Sequence, residues 1–72
     1  MTKFYVGYTQ GNGEYVYVSS IDTTVRVSVI TDTAMGFTTK ELATNLLNIA
    51  KSLVANQDFK VLEVTTEIKE VK

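Results

Sequence analysis

Four tyrosines, eight carboxylates and seven basic side chains are the titratable side chains of this 72-residue sequence, which contains no histidine and no cysteine. That removes the thiol nucleophile, the imidazole base, the disulfide framework and the zinc finger from consideration. Asp58, Glu63 and Glu67 are the carboxylates closest to a cluster. In one regular strand, however, Glu63 and Glu67 would stand ~13 Å apart, beyond the ~5–9.5 Å that separates the paired carboxyls of glycosidases. They read instead as solvated charges that discourage strand addition at a sheet edge. Asp32 sits between two threonines ahead of Gly36, but a calcium loop needs several oxygen ligands at regular spacing, so an Asx or Ser/Thr turn is the simpler reading. Gly11 and Gly13 suggest a phosphate loop only until the context is read: phosphate fingerprints lead into a helix, and here a second strand follows. No catalytic residue, metal ligand or cofactor site is expected, and the chain does not read as an enzyme.

The remaining candidates are Tyr5, Tyr15, Tyr17 and Arg26, residue types enriched where proteins bind one another. Whether they share a surface depends on the strands that carry them. Residues 3–9 and 15–21 are rich in aromatic and β-branched types and flank Gln10-Gly11-Asn12-Gly13-Glu14, the chemistry of a hairpin turn. A two-residue Asn12-Gly13 loop would place Phe4, Val6 and Tyr8 with Tyr15 and Tyr17. A three-residue loop ending in a left-handed Gly13 joins them instead to Val16 and Val18 and sets Gly7 opposite Tyr17. The second register is preferred, since it gathers the aliphatic residues and leaves the tyrosine hydroxyls wet. Tyr5, Tyr15, Tyr17, Arg26 and Ser28 then line the outer face of the sheet, with Ile30 and Val61 as further candidates.

Val25-Arg26-Val27-Ser28-Val29 alternates strictly and predicts a third strand with its valines inward. The spacing Thr38-Thr39-Lys40-Glu41 predicts a capping box, with Thr38 as N-cap and Phe37 and Leu42 as a hydrophobic staple. Leu42, Leu46, Ile49, Ala50 and Leu53 mark the inward stripe of a helix over about 39–55, widened by Ala43, Leu47 and Val54, and Asn56 is the expected residue just past its end. Residues 59–68 predict a last strand with Leu62 and Val64 toward the helix, and a frayed tail at Glu70-Val71-Lys72. The sum is an α+β fold, a two-layer βββαβ sandwich with a mostly antiparallel four-stranded sheet and one helix on one face. A right-handed crossover would run the last strand parallel to the first, in the order 3-2-1-4.

Net charge of −1, with 44% hydrophobic and 21% charged residues, bounds this to one ordinary globular domain over 1–72. No apolar run reaches the ~20 residues of a membrane span. Met1-Thr2-Lys3-Phe4 opens no signal peptide. So little net charge gives weak protection against self-association, which is a further expectation.

Several segments together resemble small, largely uncharacterised accessory proteins encoded by phages and prophages of Gram-positive bacteria: the Phe4-Tyr5-Val6 strand with its Gly-rich hairpin, Thr31-Asp32-Thr33-Ala34, Phe37-Thr38-Thr39-Lys40-Glu41-Leu42-Ala43, and Phe59-Lys60-Val61-Leu62-Glu63-Val64. The resemblance implies a protein inside a bacterial cell that acts on a host protein by binding, and it supplies no catalytic residues. The expected function is therefore protein–protein interaction with a partner of unknown identity, through the tyrosine face (Tyr5, Tyr15, Tyr17, Arg26) or an open strand edge. A nucleic-acid or small-ligand module using the same tyrosines is the alternative. The acidic pI of 5.2 and the single arginine weigh against nucleic acid.

Overall fold

The computed structural model describes residues 2–65 and 67–71. The chain forms an α+β domain in which one helix packs on one face of a five-stranded, antiparallel sheet. The strands are β1 (Lys3–Thr9), β2 (Tyr15–Ile21), β3 (Val25–Ser28), β4 (Lys60–Val64) and β5 (Ile68–Val71), in the order β3-β2-β1-β4-β5; the helix α1 is Lys40–Leu53. The expected order 3-2-1-4 is therefore present, with one more strand at its end.

The first hairpin has the three-residue loop. Gly7 pairs with Tyr17, Tyr8 with Val16 and Thr9 with Tyr15. Gly13 takes a φ of 87°, a conformation that glycine adopts without the steric cost of a Cβ. The Gln10 amide donates to the Glu14 carbonyl (2.8 Å), and the Glu14 amide donates to Asn12 Oδ1 (3.0 Å). Phe4, Val6, Tyr8 and Val18 consequently lie on the helix side.

β4 runs antiparallel to β1, not parallel as a simple crossover predicts. The cause lies in residues 31–39. After β3 the chain makes a single 3₁₀ turn at Thr31–Thr33. It then runs back down the sheet in extended form. The Met35 amide donates to the Val18 carbonyl (3.0 Å), while Phe4 and Phe37 exchange a pair of backbone hydrogen bonds of 2.7 and 2.8 Å. This rung fills the fork where β1 and β2 part. It delivers the chain to the opposite end of the sheet, so α1 runs alongside β1 in its own direction and β4 returns against it.

Other expectations shift for local reasons. The predicted strand 59–68 breaks after Val64. The Thr65 amide donates to the Glu67 carbonyl (3.1 Å), and β5 pairs back antiparallel on β4. Glu70 and Val71 thus belong to a strand and not to a frayed tail; Met1, Thr66 and Lys72 lie outside the described residues. The N-cap is Thr39, whose Oγ1 accepts from the Leu42 amide at 3.4 Å, one residue later than the capping box required. With Thr39 as the cap, the staple positions fall on Thr38 and Ala43, so Phe37 and Leu42 no longer occupy them. The helix ends at Leu53 with Val54 as its cap, so Asn56 does not close it.

The faces of the last strand are reversed from expectation. Tyr5 pairs with Leu62 and Val6 with Val61, which turns Val61 and Phe59 to the helix and Leu62 and Val64 away from it. Residues 59–64 carry apolar side chains in both phases of the alternation, as strands covered on both faces do, so parity alone does not choose between them. The main core comprises Val6, Val18, Ala43, Leu46, Ala50, Phe59 and Val61, with Tyr8 and Phe59 in an edge-to-face contact (centroids 5.6 Å apart).

Candidate functional site

The tyrosine face differs from the expected one in a decisive respect. Tyr5 and Tyr17 do point away from the helix, as the register requires, but they are buried, at 6% and 4% exposure. Together with Leu62 they form a second small core, flanked by Tyr15, Ala34 and Val64, with the two rings 5.4 Å apart and tilted by 60°. The cover comes from the connection after β3. Gly36 lies so close beneath Tyr5 that a Cβ there would meet the ring at 3.0–3.1 Å. Ser28 Oγ and Thr33 Oγ1 hydrogen-bond at 2.6 Å, and the Ile30 amide donates to Ser28 Oγ (3.2 Å), anchoring the start of that cover to the end of β3. Burial is the main cause raising the Tyr17 phenol above its ordinary pKa, assisted by the neighbouring Tyr5 and Tyr15 hydroxyls. Tyr15 is half-buried and Arg26 exposed, so of the four expected binding residues only these two offer surface. The expectation of an open face formed by Tyr5, Tyr15, Tyr17 and Arg26 is corrected accordingly. Two buried rings offer no free π-face on which a base could stack.

The carboxylates do not converge. Glu63 lies opposite Lys69 in the β4–β5 ladder, and Glu67 stands in the turn beyond it. Lys60 Nζ contacts Glu70 Oε1 at 3.2 Å and Asp58 Oδ2 at 3.7 Å. The Glu70 hydrogen bond and charge raise the Lys60 pKa, with Asp58 adding to them. These groups line a shallow cleft with Tyr8, Thr9 and Gln57 in which their charges answer one another. Asp22 caps the β2–β3 turn: its Oδ1 accepts from the Thr24 amide (3.0 Å), and backbone hydrogen bonds from Thr24 and Thr23 hold its carboxyl below the usual range. Among the described residues no three acidic side chains gather in a metal-holding group. No helix there is long and apolar enough to cross a membrane.

The surface that sequence reasoning missed is on the helix. Its buried stripe is Ala43, Leu46 and Ala50, with Leu47 and Val54 partly buried beside them. Leu42, Ile49 and Leu53, expected inside, are 49%, 50% and 43% exposed. Two alanines at 0% exposure explain the rotation: small side chains let the helix settle close to β1 and β4, the strands it mainly packs on. At 100° per residue, Leu42, Ile49 and Leu53 fall on one line along the flank. Leu47 and Lys51 occupy the other flank, in a cleft with Phe59, Val61 and Val71. The apolar line is therefore turned toward the β2–β3 half of the sheet. The sequence signal was the absence of any charged residue from 42 to 50, unusual for a helix with a wet face.

Compared with protein-family models, with curated proteins and with solved structures, the chain finds no match.

Proposed function

We propose that this domain works by binding another protein along the exposed flank of α1, without catalysis. The observation that carries the reading is the line Leu42–Ile49–Leu53, about half exposed along a helix with no charge between residues 42 and 50. Exposed apolar side chains in a line, with charge depleted around them, are the composition of an interface centre. The matching occupant is an amphipathic helix laid beside α1, presenting its own apolar stripe at i, i+7 and i+11. The setting implied by the resemblance, a phage-type accessory protein acting on a host protein inside the cell, accommodates such a binder. Tyr15 and Arg26 lie on the other side of the sheet and would not take part.

The test compares tagged wild type, Ile49→Glu and Tyr15→Ala in Gram-positive bacterial lysate, each first shown to melt cooperatively. A protein retained by wild type and Tyr15→Ala but lost from Ile49→Glu is the expected result. Equal retention by Ile49→Glu, or loss only from Tyr15→Ala, would move the site off the helix and overturn the proposal.

A further inference from the structure

The two edges of the sheet are guarded differently. β5 presents Lys69 and Glu70, both exposed, and charges along an edge discourage pairing with another chain. β3 has no such protection. Its only charge is Arg26, and Val27, Val29 and Ile30 on or just beyond it are 41%, 60% and 55% exposed. An edge strand with open backbone groups and uncovered β-branched side chains is a template for a further strand.

The sequence of this edge is also complementary to itself. From the structure we infer that β3 pairs antiparallel with β3 of a second copy, about a two-fold axis through Val27. Directly opposed residues in an antiparallel pair lie on one face of the sheet. With the axis at Val27, Val27 opposes Val27 of the second copy, Val25 opposes its Val29, and Arg26 opposes its Ser28. The valines meet on the helix side, where Val25 and Val27 already point, and the arginines avoid one another. Moving the axis to Arg26 sets like charges face to face, which is destabilising. A slip of one residue in the pairing puts the two helices on opposite faces of the joined sheet. An axis at Ser28 would keep the faces and separate the arginines, but it opposes Val27 and Arg26 to Val29 and Ile30, beyond the end of the strand, and leaves Val25 unpaired. The Val27 axis meets the three conditions with most of β3 itself, which is why a second copy is a better occupant than an unrelated strand.

The contact is small. A standard interface takes ~800 Å² per partner, about a sixth of the 4723 Å² of this chain. Five residues spanning ~17 Å cannot supply that. The expected dimer is thus weak and concentration-dependent, with a Kd of tens to hundreds of micromolar and a ten-stranded sheet. Its contacts are made by β3 and not by the α1 flank, so its failure and that of the helix-binding proposal are read from different variants.

Sedimentation equilibrium from 20 μM to 1 mM, with backbone amide shifts followed over the same range, tests this. Wild type should approach dimer mass, with concentration-dependent shifts centred on residues 25–29. Val27→Lys and Val27→Glu should each stay monomeric, and an equimolar mixture of the two should heterodimerise at least tenfold more tightly than either alone. That pairing is specific to an axis through Val27. Circular dichroism checks the folds; should either Val27 variant unfold, Val29→Lys, at a 60% exposed position outside the strand, replaces it and must abolish the dimer. A monomer at every concentration overturns the inference, as does a dimer indifferent to these changes. A dimer lost instead with Ile49→Glu would also overturn it and assign self-association to the helix flank.

Discussion

Gly7 occupies the centre of the central strand, opposite Tyr17 on one side and Lys60 on the other. A Cβ at this position would collide with the Val16 carbonyl oxygen and stand 3.1 Å from Leu62 Cδ1. The obstacle on one side is main chain, so rotating a side chain does not relieve it; β1 must draw away from β2. It has little pairing to spare, because below Gly7 the ladder is interrupted by the rung at residues 35–37. Overpacking of a core costs about 1–3 kcal/mol, while replacing glycine restricts the unfolded chain and returns about 0.4–1 kcal/mol where no clash exists. With backbone as the obstacle, Gly7→Ala should lose about 2–3 kcal/mol net, near the upper end of the overpacking range. A chain of this length has roughly 4–11 kcal/mol in total. At about 4–8 °C per kcal/mol for a domain of this size, Tm should fall by roughly 10–20 °C. Urea unfolding followed by far-ultraviolet circular dichroism measures the loss, and an unchanged m-value keeps the comparison two-state. Gly11→Ala is the control, since nothing lies within 4 Å of its added methyl. Equal midpoints for the two variants would refute the close-approach argument.

The helix cap distinguishes neighbouring threonines: Thr39→Ala should cost about 0.5–1 kcal/mol, the low end for a cap held by a long hydrogen bond, and Thr38→Ala close to nothing. Urea midpoints of the two variants decide it, and the opposite ranking would restore the capping box. Alkaline stability should reflect Tyr17. Its folded-state pKa is raised, so as pH climbs past about 10 the unfolded chain ionises first and the folded state loses ground. Stability should thus be level through neutral pH and fall from about pH 10 upward, less steeply in Tyr17→Phe. Identical alkaline slopes would show that Tyr17 ionises alike in both states.

Most of the architecture was legible because local chemistry and global packing agree. The Gly11–Gly13 loop and the alternation in β1 and β2 each have one good solution. Of the three valines expected inward on the third strand, only Val25 packs against the core; the strand ends at Ser28, and Val27 and Val29 are 41% and 60% exposed. Failures occur where a segment has two. Residues 59–64 are apolar in both phases, and only the pairing of Tyr5 with Leu62 settles which goes to the helix. The helix carries more large apolar residues than its contact with the sheet can cover, so periodicity indicated a stripe but not its centre. Ala43 and Ala50, unremarkable as sequence, turned out to define the contact. The extended run at 35–37 left no propensity signal; its hydrogen bonds reach Phe4 and Val18, and it is the reason that Tyr5 and Tyr17 were misjudged as exposed.

That rung also divides the molecule into parts that need not open together. β1 and β4 carry most of the helix and β5 pairs on β4, whereas β2 and β3 are joined to them by a short ladder and by the hydrogen bonds of residues 35–37. Native-state amide exchange should therefore resolve two cooperative units. The β2–β3 hairpin would release its protons at a lower free energy than β1 and β4, with the Met35 and Phe37 amides exchanging at the rate of the weaker unit. The connection over residues 29–39, between β3 and α1, would then act as the latch that holds the two units together.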